Sequence, residues 1–137
     1  MKNFTQKYRY KRKRFIRNTF NRVEYLKSLE CELYHDLLYK LETRTLEPHQ
    51  TFLKERDPID RLTIIEFGCL ELYTEYEGTE FVLEKLYQGS VLNYRMLFLE
   101  EVMKVNVRAS EYTTLLELSL STFEWAQYNH PEFDKKV

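Results

Sequence analysis

Gly89-Ser90-Val91-Leu92-Asn93-Tyr94-Arg95-Met96-Leu97-Phe98 lies at the centre of a run of short, alternating strands over residues 62–124. A glycine after a strand, a short helical turn, then another strand about ten residues on is how a small β-roll builds a pocket for a phosphate. The segments on either side carry the same reading. Leu62–Phe67 is an apolar, β-branched run that stops at Gly68. Cys69–Thr74 then alternates, with Leu70 and Leu72 on one face and Glu71 and Tyr73 on the other. Glu75-Tyr76-Glu77-Gly78-Thr79 is a hairpin turn in which glycine supplies a positive φ, and Phe81–Leu86 returns. Beyond the central stretch, Lys104–Ala109 alternates Val105 and Val107 against Asn106 and Arg108, and Tyr112–Leu118 makes a further strand.

Upstream, Leu46-Glu47-Pro48-His49-Gln50 reads as a strand running into a turn, and Lys54–Pro58 as a second turn. Phe15, Ile16, Thr19, Phe20, Val23, Leu26 and Leu29 recur at helical spacing, which predicts a helix over Phe15–Leu29. A second helix fits Glu32–Leu41, with Leu33, Leu37, Leu38 and Leu41 as its stripe. Downstream, Thr122–Tyr128 is a short helix that Ser121 is placed to cap, and His130-Pro131 breaks it. Glu132–Val137 begins a further helix. The expected organisation is a basic flexible lead over 1–14, N-terminal helices over 15–45, a β-roll over 46–120 with a segment at 89–109 like those that cradle a phosphate, and C-terminal helices over 121–137, the closing one truncated. The fold class is α+β: an antiparallel β-roll or jelly roll flanked by helices.

Composition sets bounds. A chain of 137 residues suits one domain with a core of its own. Eleven Tyr and nine Phe suit half-buried strand faces. The net charge of −1 hides an asymmetry: residues 1–23 hold nine lysines and arginines and no acid, leaving twelve basic against 22 acidic residues elsewhere. Arg9, Lys11, Arg12, Lys13 and Arg14 form a basic patch suited to an anionic surface or to the acidic body of a neighbouring copy. Cys31 and Cys69 are far apart and read as reduced, structural thiols in a cytoplasmic setting. No apolar run reaches the roughly 20 residues needed to span a bilayer. His35, His49 and His130 do not cluster, and no serine, cysteine or carboxylate pair forms a nucleophilic centre. The expectation is no catalytic residues, no metal, and no enzyme. No helix-turn-helix follows the roll, so nucleic acid is not the expected partner.

Residues 46–133 resemble the cyclic nucleotide-binding domain family. Leu46–Pro58 is similar to the family's "EPGE-x-I-F-x-EGDP" opening, Leu62–Tyr73 to "L-Y-F-I-x-x-G-x-V-x-V-Y", and Leu86-Tyr87-Gln88-Gly89-Ser90 to the "L-x-x-G-D" lead into the phosphate-binding cassette. Val107-Arg108-Ala109 and Leu115–Phe123 resemble "V-R-A…L-x-x-L-S-x-x-x-F". The resemblance implies a cassette formed by Gly89, Leu92, Asn93, Tyr94, Arg95, Met96, Leu97, Met103, Lys104 and Val105.

The departures from the family pattern are chemical. Ligand-binding members carry "F-G-E-[IL]-A-L-L" and then "P-R-[ST]-A". Here Asn93 stands for the glycine beside the phosphate and Tyr94 for the glutamate that accepts from the ribose 2′-hydroxyl. Met103 stands for the arginine that forks onto the cyclic phosphate, and Lys104, one position away, lacks that fork. His49 and Arg56 replace two outer glycines. Each lost charge-assisted hydrogen bond costs about 1.5–3 kcal/mol, so the resemblance implies weak or absent binding of cyclic AMP or cyclic GMP and no other cofactor. Arg95 or Lys104 turned inward would partly compensate, and the Tyr94-Arg95 pair either plugs the nucleotide space with the tyrosine ring or belongs to a drifted cassette that packs as core.

The overall style resembles the cytoplasmic domains of voltage-gated potassium and other cation channels. The implied partners are neighbouring subunits or the rest of a larger channel-like protein, at the cytoplasmic face of a membrane. The alternatives are a working cyclic AMP or cyclic GMP sensor with an unusual cassette, and a protein-interaction module built on the basic head.

Overall fold

A computed structural model describes residues 2–23, 26, 27, 29, 31–93, 97 and 101–130, with side chains from Lys11 onward. Two helices, α1 (Lys2–Phe20) and α2 (Cys31–Tyr39), precede eight strands. The strands are β1 (Glu42–Leu46), β2 (Thr51–Leu53), β3 (Arg61–Phe67), β4 (Leu70–Tyr76), β5 (Thr79–Leu86), β6 (Val91–Leu92), β7 (Asn106–Ala109) and β8 (Thr113–Ser119). Helix α3 (Leu120–Asn129) follows without a break.

The strands form two four-stranded antiparallel sheets, ordered β1-β8-β3-β6 and β2-β7-β4-β5. Apart from the β4–β5 hairpin, sequence neighbours alternate between the sheets, which rolls the chain up rather than folding it as a meander. In the first sheet, Thr43 pairs with Leu116 and Leu116 with Ile64, whereas Arg44 pairs with Leu115 and Leu115 with Ile65. Because side chains alternate along a strand, these are two opposite faces. The Thr43 face lies under α1, since Arg12 donates to Thr43 Oγ1 at 2.8 Å and to Glu66 Oε2 at 2.6 Å. The Arg44 face looks into the roll, where the Arg44 guanidinium sits 5.2 Å from the Phe52 ring of β2.

One core joins both layers. Ile16, Phe20, Leu33 and Leu37 from the helices meet Leu116, Leu118, Leu62 and Phe123, while Leu115, Ile65, Leu70 and Val107 fill the space between the sheets. Among the described residues, no helix is long and apolar enough to cross a membrane.

Three expectations change. Residues 2–14 are helical rather than a flexible lead. Their basic side chains permit this because Arg12 finds a buried carboxylate on β3 and the following turn buries Ile16, Thr19 and Phe20. The helix stops at Phe20, not Leu29, yet Val23 and Leu26 are still buried, in turns closed by Val23 N–H to Phe20 O and Leu26 N–H to Val23 O. The cap of α3 is Ser119, whose Oγ accepts from Thr122 N–H at 3.2 Å; Ser121 Oγ lies 2.9 Å from it. Strand β8 runs straight into the helix, so the last strand residue takes the capping position. The expected helix over 132–137 lies outside the described residues. Cys69 is buried and Cys31 exposed, both as free thiols.

Candidate functional site

The cassette begins where β5 ends. Gly89 adopts φ 88°, a region open to glycine at little cost. Its N–H donates to Ile65 O at 2.9 Å, and Ile65 N–H donates to Ser90 O at 3.0 Å. Its own carbonyl accepts from Arg22 Nη2 at 2.9 Å. The same guanidinium nitrogen lies 3.3 Å from Thr19 Oγ1. The end of α1 is thereby tied to the mouth of the cassette. A Cβ on Gly89 would meet Arg22 Nη2 at 3.1 Å, so both backbone and neighbour favour glycine here.

Val91 and Leu92 then pair with Ile64 and Thr63. Asn93 turns the chain at φ 71° with its side chain buried. Asparagine is among the few residues that enter this left-handed region readily. Leu97 N–H donates to Asn93 O at 3.1 Å, and Leu97 is fully buried. His49 (φ 69°) and Arg56 (φ 77°) also hold the left-handed backbone where the family pattern has glycine. His49 N–H donates to Ala109 O at 2.8 Å, and Arg56 N–H to Met103 O at 2.7 Å. The turns survive the loss of their glycines because ladder hydrogen bonds hold them.

Of the ten cassette positions, the structure places Gly89, Leu92, Asn93, Leu97, Met103, Lys104 and Val105; Tyr94, Arg95 and Met96 lie outside the described residues. Met103 sits in the core, 4% exposed, with N–H donating to Asp57 O at 2.8 Å. Val105 packs against the core. Lys104 is exposed and does not turn inward to replace the missing arginine. The basic patch divides likewise. Arg12 is committed to Glu66 and Thr43, whereas Lys11, Lys13 and Arg14 are exposed. The side chain of Arg9 lies outside the described residues.

Sequence reasoning missed a polar cavity of about 250 Å³ inside the roll, lined among the described residues by Arg44, Phe52, Leu53, Asp57–Arg61, Thr63, Asn93 and Glu117. Glu117 stands in the middle of β8, almost fully buried, and pairs through Oε1 with Arg44 Nε at 2.8 Å and Arg61 Nη1 at 3.8 Å. Burial pushes its carboxyl above the ordinary glutamate range, and the two arginines oppose that rise without cancelling it. The available signal was a lone acid in Thr113-Thr114-Leu115-Leu116-Glu117-Leu118-Ser119. Among the described residues, no group of three His, Cys, Asp or Glu is arranged to hold a metal ion.

The family model described as "Cyclic nucleotide-binding domain" matches residues 43–127. No curated protein matches the chain. Among solved structures, the N-terminal domain of a transcriptional regulator from Streptomyces coelicolor A3(2) is similar at 23% identity and TM-score 0.76, over 86% of this chain and 83% of that one. The regulatory domain of Toxoplasma gondii PKA, crystallised with cAMP, is similar at 18% identity and TM-score 0.73, over 84% and 44%. The C-linker/CNBHD of zELK channels, crystallised in the presence of cAMP, is similar at 21% identity and TM-score 0.71, over 85% and 58%. At these identities the likeness is one of fold.

Proposed function

The chain belongs to the cyclic nucleotide-binding domain family, and from that membership we propose that it is a regulatory domain of a larger, channel-like protein with weak or no cyclic nucleotide binding. One observation carries the second half of this reading. The family's phosphate-binding arginine position is Met103, and its side chain is part of the core. A methionine there offers no positive charge, and exposed Lys104 offers none to the pocket. The scaffold remains: Gly89 and Asn93 keep the backbone turns of a cassette.

The regulatory half rests on the link from Arg22 to Gly89 O. A rearrangement at the cassette pulls on the end of α1, so a roll that is rigid and helices that move would share one equilibrium. The cytoplasmic face of a membrane protein is the setting that suits such a domain. A second reading, an assembly module, draws on exposed Lys11, Lys13 and Arg14 against an acidic remainder.

Titration of cyclic AMP and cyclic GMP into ¹⁵N-labelled protein, followed by amide shifts, tests the proposal. The expected result is no saturable shift at micromolar ligand. Saturable shifts confined to 89–109 at micromolar ligand would establish a working sensor and overturn it. Salt-sensitive self-association without any nucleotide response would favour the assembly module.

A further inference from the structure

Among the described residues, three polar oxygens that the fold buries have no hydrogen-bond partner: Thr63 Oγ1, Asn93 Oδ1 and Glu117 Oε2. Their residues are 1%, 7% and 1% exposed. They come from three different segments, β3, the end of β6 and β8. All three line the same cavity of about 250 Å³. Folded proteins rarely leave buried polar atoms unpaired, and a cluster of them facing one space marks a place where something else supplies the partners.

The walls define that partner. Glu117 Oε1 is already taken by Arg44 and Arg61, so Oε2 is the free acceptor. Asp57 Oδ2 accepts from Lys54 N–H, and Asp60 pairs with Arg61. Among the described residues, the charged groups of the lining are Arg44 and Arg61 against Asp57, Asp60 and Glu117, which leaves no surplus of positive charge for an anion. The unpartnered atoms are oxygens, and Asn93 Oδ1 and the ionised Glu117 Oε2 can only accept, so an occupant that satisfies them must donate. Phe52, Leu53, Pro58 and Ile59 supply apolar wall on the other sides, suited to the faces of a flat ring. The volume falls below the roughly 300–1,000 Å³ of a pocket for a drug-sized ligand. It suits one heteroaromatic ring system rather than a whole nucleotide.

We propose that this cavity is a second binding site, separate from the phosphate-binding cassette, for a small planar heteroaromatic molecule with an amino group, held by Thr63, Asn93 and Glu117. Of the described cassette positions only Asn93 reaches it; Gly89, Leu92, Leu97, Met103 and Val105 do not line it. Asn93 belongs to both, so occupancy here bears on the turn that closes the cassette. The proposal stands whether or not the cassette binds cyclic nucleotide.

Adenine is the probe, with unsubstituted purine as the control that lacks the amino donor. On the full ¹⁵N-labelled chain, adenine is expected to give saturable shifts at the amides of Thr63, Asn93 and Glu117 at sub-millimolar concentration. Purine is expected to bind about tenfold more weakly, the effect of one lost hydrogen bond. Thr63→Val and Glu117→Gln are each expected to weaken adenine by a similar factor while keeping a dispersed spectrum. Where either variant fails to fold, competition on the unaltered chain decides. Saturable adenine shifts at Thr63 and Glu117 that persist under millimolar cyclic AMP support the cavity as the site, and displacement of adenine by cyclic AMP overturns the proposal. So do equal affinities for adenine and purine, and so does the absence of shifts at millimolar adenine, which would mean that the cavity holds water only.

Discussion

The two sheets use the same ion pair in opposite ways. In the first sheet, Glu117 faces into the roll and Glu66 lies under α1, and both are almost fully buried beside arginines. In the second, Glu71 of β4 meets Arg108 of β7 at 3.0 Å and Lys85 of β5 at 3.5 Å, near the surface. Arg108 also reaches Glu80 at 2.7 Å and stacks over Tyr73. The Arg108 hydrogen bond, foremost, holds the Glu71 carboxyl below the usual glutamate range, whereas burial raises that of Glu117 despite two arginines nearby. Pairing alone does not decide the sign; the loss of water around the carboxylate does. The first sheet has one face under the helices and the other turned into the roll, while β5 of the second is an edge with Phe81, Val82 and Leu83 all about half exposed.

The sharpest way to break this contrast is to truncate one apolar side chain in each sheet. Leu115→Ala on β8 removes a side chain with no exposed surface and is expected to cost about 2–5 kcal/mol. Val82→Ala on β5 is expected to change stability by about 0.5 kcal/mol or less. Urea denaturation of both variants reads the difference. Equal losses would mean that β5 is covered in solution and that the two sheets are not distinct.

Next in size is the pair of arginines. Arg12→Ala leaves Glu66 buried without the partner that donates at 2.6 Å, and is expected to cost about 1–3 kcal/mol. Arg12 is itself about one-third exposed, so solvent screening pulls the figure toward the lower end. Arg108→Ala, near the surface, is expected to cost about 1 kcal/mol or less. Helical content should fall with Arg12→Ala and not with Arg108→Ala, because Arg12 anchors α1. If circular dichroism shows no such loss, α1 docks through Ile16 and Phe20 alone.

That docking is what local sequence could not convey. Strand segments, the Gly78 hairpin and the Gly89 turn were legible because alternation and glycine are local signals. The helical order of residues 2–14 was not, since a basic segment reads as solvated until a buried acid on β3 is known to face it. The capping serine was misplaced by two residues, because β8 passes into α3 without a loop to mark the boundary. Thr63 and Glu117 looked like ordinary strand residues; only the pairing of β8 with β3 puts them side by side, at Thr63↔Glu117. Asn93 was read as damage to a cassette. Its φ of 71° makes it a substitute that keeps the turn.

The smallest effect is the most diagnostic, because it reads the two carboxylates against each other. Glu117 has a raised folded-state pKa, so its contribution is fully present below the ordinary glutamate value of 4.5 and declines as pH rises through the raised one. Glutamine imitates the protonated form. Glu117→Gln is therefore expected to match the parent chain in acid and to equal or exceed its stability at neutral pH. Glu71 has a lowered pKa, so its contribution is present above 4.5 and lost as pH falls through the lowered value. Glu71→Gln is expected to cost about 1 kcal/mol or less at neutral pH and nothing in strong acid. Added salt should shrink the Glu71 effect and leave that of Glu117 nearly unchanged, since counterions reach the surface pair and not the buried one. Urea midpoints across this pH range, at low and high salt, measure both. A Glu117→Gln variant less stable than the parent at neutral pH would show that Arg44 and Arg61 outweigh burial, and the first sheet would then hold its acid as the second does, by pairing.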